Sequence, residues 1–153
     1  MIYLDTSAAL KLVTPEAETA ALELWIADRA RIPRVSSRLL RIEMLRTVAR
    51  NAPHRMNRAN VVLSSVALVS MDDIASTAEV IGGRMLRSLD AIHLATAHEL
   101  RAELTAFVCY DKRLGDSAQA LGLPVEAPAL PDGRRPSVTG RGLKIFFDKR
   151  GCR

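Results

Sequence analysis

The sequence predicts an α/β protein, a parallel β-sheet with helices packed on both of its faces. Two observations carry that prediction. Short apolar or β-branched runs alternate with helical patterns through the first 130 residues, and parallel strands need crossover connections of about that size. Two of the runs, "IYL" and "FVCY", end in aspartates, Asp5 and Asp111, and in open parallel sheets ligands bind at the carboxyl ends of the strands. A length of 153 residues suits one domain with a single core.

Ile2–Leu4 is the first strand. "TSAALKLV" after it has helical character and stops at Pro15. Thr14 and Pro15 make an N-cap and first-turn pair for a second helix, "PEAETAALELWIADRA", whose Leu22, Trp25, Ile26 and Arg29 share a face suited to the sheet or to a partner chain. "RVSS" (34–37) is a weak strand leading into a helix from about Arg38 to Arg50, and Pro53 separates this from a helical pattern running to about Val66. "VALVS" is the next strand. Asp72 and Asp73 cap a helix through Val80, Gly82 and Gly83 break it, and Ser88 caps the helix that follows. "TAFVCY" is a strand, "DKRLGDSAQALG" a helix closed by Gly122, and "LPVEA" a last short strand.

With 48% hydrophobic and 25% charged residues, the composition is that of a soluble globular protein. No apolar run approaches the roughly 20 residues of a membrane span. "MIYLDTSAAL" lacks a basic start and puts Asp5 where a signal peptide is apolar, so neither export nor a membrane is expected, and the cytoplasm is the expected location. Cys109 and Cys152 have no metal-ligand spacing, and Cys109 reads as a small buried hydrophobe in a reduced protein. The net charge of +5 resides in the tail. Arg134, Arg135, Arg141, Lys144, Lys149, Arg150 and Arg153 face only Asp132 and Asp148 there, while residues 1–130 hold equal numbers of acids and bases. Residues 131–153 therefore read as a flexible basic extension containing Pro and Gly, outside a 1–130 domain. A nucleic-acid or membrane-surface arm, or a segment docked on the body, are the other readings.

Within "RSLDAIHLATA" a carboxylate, Asp90, sits among leucines and alanines. Burying a polar group without a partner costs about 2–7 kcal/mol, and an unpaired charge costs more, so something positive has to meet it. Arg87 precedes Ser88 and points away. Glu43 lies at the border of a Leu40, Met44, Val48 stripe, with Arg46 and Arg50 just beyond, and a local bridge to Arg46 is its plainer reading. Asp5 and Asp111 each precede a helix and can be read as caps. Taken together, two strand-end and two helix-borne carboxylates can converge on one point. Their repulsion then calls for a cation, and oxygen-only ligands suit Mg²⁺ or Mn²⁺. On this reading a divalent metal is the positive partner of Asp90. Hard metals held by carboxylates are the equipment of phosphodiester hydrolysis, one ion activating a water and a second steadying the leaving oxygen.

In this order, "MIYLDTSAALKL", "RIEMLRTV", "LRSLDAIHLATA" and "FVCYDKRLGDSAQALGLPV" resemble the PIN-domain ribonucleases, and closely the VapC toxins of type II toxin–antitoxin modules, over about residues 1–127. The resemblance implies a three-layer α/β/α fold with a short parallel central sheet. It also implies Mg²⁺- or Mn²⁺-dependent endoribonuclease activity on an RNA substrate, homodimers, and inhibition by a cognate VapB-like antitoxin. Asp5, Glu43, Asp90 and Asp111 match the family's catalytic, metal-binding acidic pocket. The tail departs from the pattern.

Asp5 and Asp90 are the first choices as direct ligands and Asp111 the next, with Glu43 acting through water or orienting the attacking water. Thr6 and Ser7 can support Asp5 or a water, or else cap a helix. His93, one turn after Asp90, can steady that carboxylate or be a satisfied core histidine. Arg46, Arg50, Lys112 and Arg113 are candidate contacts to RNA phosphates, and solvated surface residues otherwise. Asp116 reads as exposed. Two rivals stand beside the nuclease: a haloacid-dehalogenase-like phosphatase, which wants a second aspartate where this chain has Ser7, and a catalytically silent module acting only through antitoxin and operator complexes.

Overall fold

The computed structural model describes residues 1–83 and 86–130; the 131–153 extension lies outside the described residues. Along the chain run β1 (Ile2–Leu4), α1 (Thr6–Lys11), α2 (Thr19–Ala27), β2 (Arg34–Ser37), α3 (Leu39–Asn51), α4 (Met56–Ser64), β3 (Ala67–Val69), α5 (Ala75–Val80), α6 (Ser88–Glu99), β4 (Ala106–Val108), α7 (Lys112–Ala120) and β5 (Val125–Glu126), with single 3₁₀ turns at Pro53–Arg55 and Asp72–Ile74. The five strands are all parallel, in the order β3-β2-β1-β4-β5. The chain winds outward from β1 to β3, then returns to lay β4 against the other side of β1. That reversal makes the carboxyl ends of β1 and β4 the switch point of a doubly wound sheet, the place where ligands bind in such folds.

β1 shows how three residues serve two layers. Side chains alternate across a strand, so Ile2 and Leu4 join Ala106 and Val108 in a core built with Ala8, Leu22, Leu40, Met44, Val48 and Val62 from α1 to α4. Tyr3 points the other way, into a core with Val35, Phe107, Leu94, Ala97, Leu114 and Ala118 from α6 and α7. The sheet thus divides the expected single core in two, and the architecture is three-layered α/β/α. The Leu40, Met44, Val48 stripe of α3 is fully buried, as its spacing requires. Trp25 and Ile26 are half-buried against the same core as Leu22. Among the described residues no helix is long and apolar enough to cross a membrane.

Several boundaries differ from the sequence expectation, each for an identifiable reason. The second helix begins at Thr19, not Pro15. The Thr19 hydroxyl accepts the Glu16 N–H and donates to the Lys11 carbonyl, and buried Lys11 pairs with both Glu16 and Glu18, so residues 15–18 are held outside the helix. Its last turn ends at Ala27 because Arg29 folds back, giving Nη1–H to the Trp25 carbonyl and covering that ring at 4.2 Å. Ser88 is the first residue of α6 and makes no cap; Arg87 occupies the cap position with extended backbone. Asp72 and Asp73 lie in a 3₁₀ turn and do not cap α5. β4 stops at Val108, and two residues on the Tyr110 N–H turns to the Ser7 hydroxyl at 2.9 Å. β2 holds despite its weak propensity because its buried serines are satisfied, Ser36 donating to the Leu4 carbonyl at 2.7 Å.

Gly122 ends α7 at φ +76°, with open space where a Cβ would stand. The substitution Gly122→Ala therefore adds strain without a clash and lowers stability by about 1 kcal/mol, read as an earlier midpoint in urea denaturation.

Candidate active site

Asp5 follows β1 directly and takes extended backbone as the N-cap of α1. Its Oδ2 accepts the Ser7 N–H at 3.0 Å and the Ser7 hydroxyl at 2.6 Å. Since the same hydroxyl accepts the Tyr110 N–H, Ser7 ties the chain after β1 to the chain after β4. The Cys109 thiol lies 3.5 Å from Asp5 Oδ2 and 3.3 Å from the Asp111 carbonyl. Burial, with the Asp5 charge adding to it, pushes that thiol well above its usual range, so it stays protonated. Asp111 has extended backbone and caps α7, Oδ1 accepting the Leu114 N–H at 3.0 Å. The cap reading of both aspartates thus holds, and each still keeps one oxygen without a hydrogen bond among the described residues.

Glu43 projects from α3, half-buried, and does not pair with Arg46. Its Oε2 accepts hydrogen bonds from the Thr6 hydroxyl and from His93 Nε2 at 3.0 Å. Burial raises its pKa, but the bonds from His93 and Thr6 outweigh that and leave it below the usual glutamate range. His93 is fully buried, with Nδ1 2.7 Å from the Tyr3 hydroxyl. That hydroxyl also accepts the Ser37 N–H at 3.1 Å. Nε2 faces Glu43, whose carboxylate can only accept, so this nitrogen carries a proton; Thr6 Oγ1 lies 3.0 Å and Asp5 Oδ1 3.7 Å from it. Of its two readings His93 is thus the satisfied core histidine, and the carboxylate it supports is Glu43, not Asp90. Burial drives the Tyr3 phenol far above its usual range, keeping it a donor.

Asp90 sits in the first turn of α6, and its positive partner is within the chain: Arg113 Nη2 donates to Oδ2 at 2.8 Å. In this structure, then, an arginine meets the carboxylate where the sequence reading put a metal, and Arg113 is engaged there and not free for phosphate. Lys112 pairs with Asp116 at 2.6 Å on the open surface. Arg46 and Arg50 are exposed on α3.

The donor set is chemically right for a hard divalent cation. Asp5 Oδ1, Glu43 Oε1, Asp90 Oδ1 and Asp111 Oδ2 are all carboxylate oxygens without a hydrogen bond among the described residues. As they stand, no three acidic, histidine or cysteine side chains among the described residues are grouped closely enough to hold an ion. The gathering is looser than the single cage expected, because His93 stands between Glu43 and Asp5 while Arg113 engages Asp90.

Sequence reasoning missed Tyr3. The available signal was the alternation of β1, which sends its hydroxyl to the face opposite Ile2 and Leu4, where a buried phenol needs partners. The change Tyr3→Phe strands the Ser37 N–H and His93 Nδ1, costing about 1–3 kcal/mol. ¹⁵N spectra of the imidazole should then show the Nδ1 signal moved from its native position by the loss of the phenol, and an unmoved Nδ1 signal counts against the contact.

The PIN domain family model matches residues 2–118. The chain is 40% identical over 132 residues to Ribonuclease VapC47 of Mycobacterium tuberculosis, covering 84% of this chain and 97% of that protein. It is 43% identical over 131 residues to Ribonuclease VapC35 of the same species, with the same coverage. A crystal structure of VapBC2 from Rickettsia felis, bound to a DNA fragment from their promoter, shares the fold at a TM-score of 0.57 and 15% identity, over 84% of this chain and 99% of that one. The chain belongs to the PIN domain family.

Proposed function

We propose that this protein is the toxin of a toxin–antitoxin module, an endoribonuclease that hydrolyses RNA phosphodiester bonds with Mg²⁺ or Mn²⁺ at the carboxyl ends of β1 and β4. The observation that carries this reading is the set of four carboxylates, two at the ends of β1 and β4 and two on α3 and α6, each with one oxygen left without a hydrogen bond among the described residues, in a chain with about 40% identity to ribonucleases named VapC. Asp5, Asp90 and Asp111 are the ligands, through Oδ1, Oδ1 and Oδ2. When bound, the divalent ion supplies Lewis acidity to a water and to the leaving oxygen.

The chain's own residues do the rest. Glu43, whose Oε1 carries no hydrogen bond among the described residues, is the acceptor that orients the attacking water, while Thr6 and His93 hold its other oxygen in place. Ser7 fixes Asp5 in the same manner. Arg46, Arg50 and Lys112 lie exposed beside these elements and can take phosphates of the RNA strand. The same reading assigns a homodimer, a VapB-like antitoxin as inhibitor, and a cytoplasmic site of action. A phosphatase of the haloacid-dehalogenase kind has no support, since Ser7 stands where its second acid belongs and uses its hydroxyl on Asp5 and Tyr110.

Expression in a bacterial host should arrest growth with the native chain and not with Asp90→Asn; equal growth in both cultures favours a silent module. With purified protein, Asp5→Asn or Asp90→Asn should lower RNA cleavage by at least about 100-fold, the upper end of what even outer-sphere changes cost at metal sites. Cleavage should need added Mg²⁺ or Mn²⁺ and cease in EDTA. Cleavage that survives the chelator contradicts the proposed mechanism.

A further inference from the structure

Arg113 occupies a place that helix electrostatics disfavours. It is the second residue of α7, where unpaired N–H groups give the helix end a partial positive charge that opposes a cation. No acidic residue lies in that turn, and the cap, Asp111, gives one oxygen to Leu114. The guanidinium instead reaches across to α6 and bonds Asp90 Oδ2 through Nη2 alone. Its buried Nε has no partner among the described residues. Nε–H and Nη2–H share the edge with which arginine grips a carboxylate through two parallel bonds, so the bridge to Asp90 is half of a fork. Asp90 Oδ1 stays free, and the pair is open to water, its side chains 36% and 19% exposed.

We propose that Arg113 is a built-in counter-ion for Asp90, a stand-in for the divalent cation that has to release this carboxylate before the cation binds there. The inference rests on the reading of Asp90 as a cation ligand. Without a cation, a carboxylate set into an apolar helix face beside other acids needs an answering charge, and Arg113 supplies it. With a cation, a guanidinium at bonding distance both occupies an oxygen and repels the ion. A half-closed, part-exposed bridge yields more easily than a buried bidentate one, which suits a contact made to be exchanged. Arg113 is on this account a positioning residue whose contact with Asp90 sets the affinity of the site for its metal.

The test uses the full chain. Mn²⁺ affinity is measured by titration calorimetry for the native protein, Arg113→Gln and Lys112→Gln, and the Arg113 guanidinium ¹⁵N signal of the native protein is followed as Mg²⁺ is added. Arg113→Gln should bind Mn²⁺ at least about five-fold more tightly, the low end of ordinary coupling between sites. Lys112→Gln, which removes an exposed charge next door, should change the affinity by less than about two-fold because exposed charges are screened. The native Arg113 signal should shift and its Nε–H should exchange faster at saturating Mg²⁺. Unchanged or weaker binding by Arg113→Gln, or a native Arg113 signal that Mg²⁺ leaves unmoved, overturns the counter-ion assignment while native Mn²⁺ binding keeps the cation site standing. Absence of Mn²⁺ binding from both native and Arg113→Gln proteins overturns the cation site itself, and the inference with it.

Discussion

Asp5 and Asp111 follow β1 and β4 and cap α1 and α7, while Glu43 and Asp90 sit on α3 and α6, helices that pack on each other and on α1 and α7. Carboxylates brought near one another in a part-dry space drive one another toward protonation unless donors or cations answer them. The local structure of this protein is arranged around that repulsion. Each acid has been given its own donors: the Ser7 amide and hydroxyl for Asp5, Thr6 and His93 for Glu43, Arg113 for Asp90, and the first turn of α7 for Asp111. None of these donors uses more than one oxygen of its carboxylate. The outcome is four carboxylates each fixed through one oxygen, with four oxygens that carry no hydrogen bond among the described residues and are left for a ligand that bears positive charge.

The fold supplies that arrangement cheaply because the same short segment serves packing and chemistry. β1 places Ile2 and Leu4 in one core, Tyr3 in the other, and Asp5 at the strand end. Tyr3 then reaches through the second core to His93, so the orientation of Glu43 on α3 depends on a phenol in β1 and an imidazole on α6. Packing on both faces of the sheet is thereby coupled to the geometry of the acids, and a change that loosens either layer is felt there. Reciprocal positioning of this sort is the usual way in which a site is held to tight geometry by its surroundings.

Features set by local rules were legible in the sequence. The stripe of α3, the strand-end positions of Asp5 and Asp111, the stop at Gly122 and the alternation of strands with helices each follow from spacing or from the chemistry of a single residue. What could not be read were contacts between groups far apart in the chain. His93 is three residues from Asp90, and that nearness suggested a pair; packing turned the ring to Glu43 and Tyr3 instead. Pro15 is a good first-turn residue, yet the pull of Lys11 on Glu16 and Glu18 moved the start of α2 to Thr19. Arg113 suits a phosphate contact or a solvated surface residue by its place beside Lys112 and Asp111, while its actual partner lies on another helix.

The central claim is that these carboxylates together hold a divalent cation. Crystals soaked in Mn²⁺ and measured at a wavelength where manganese scatters anomalously test it most directly. The account predicts a peak within about 2–2.5 Å of oxygens from at least two of Asp5, Asp90 and Asp111, distances ordinary for oxygen-bound divalent ions. A soak that leaves these carboxylates without a peak, or puts manganese only at other surface acids while the protein cleaves RNA, would contradict it.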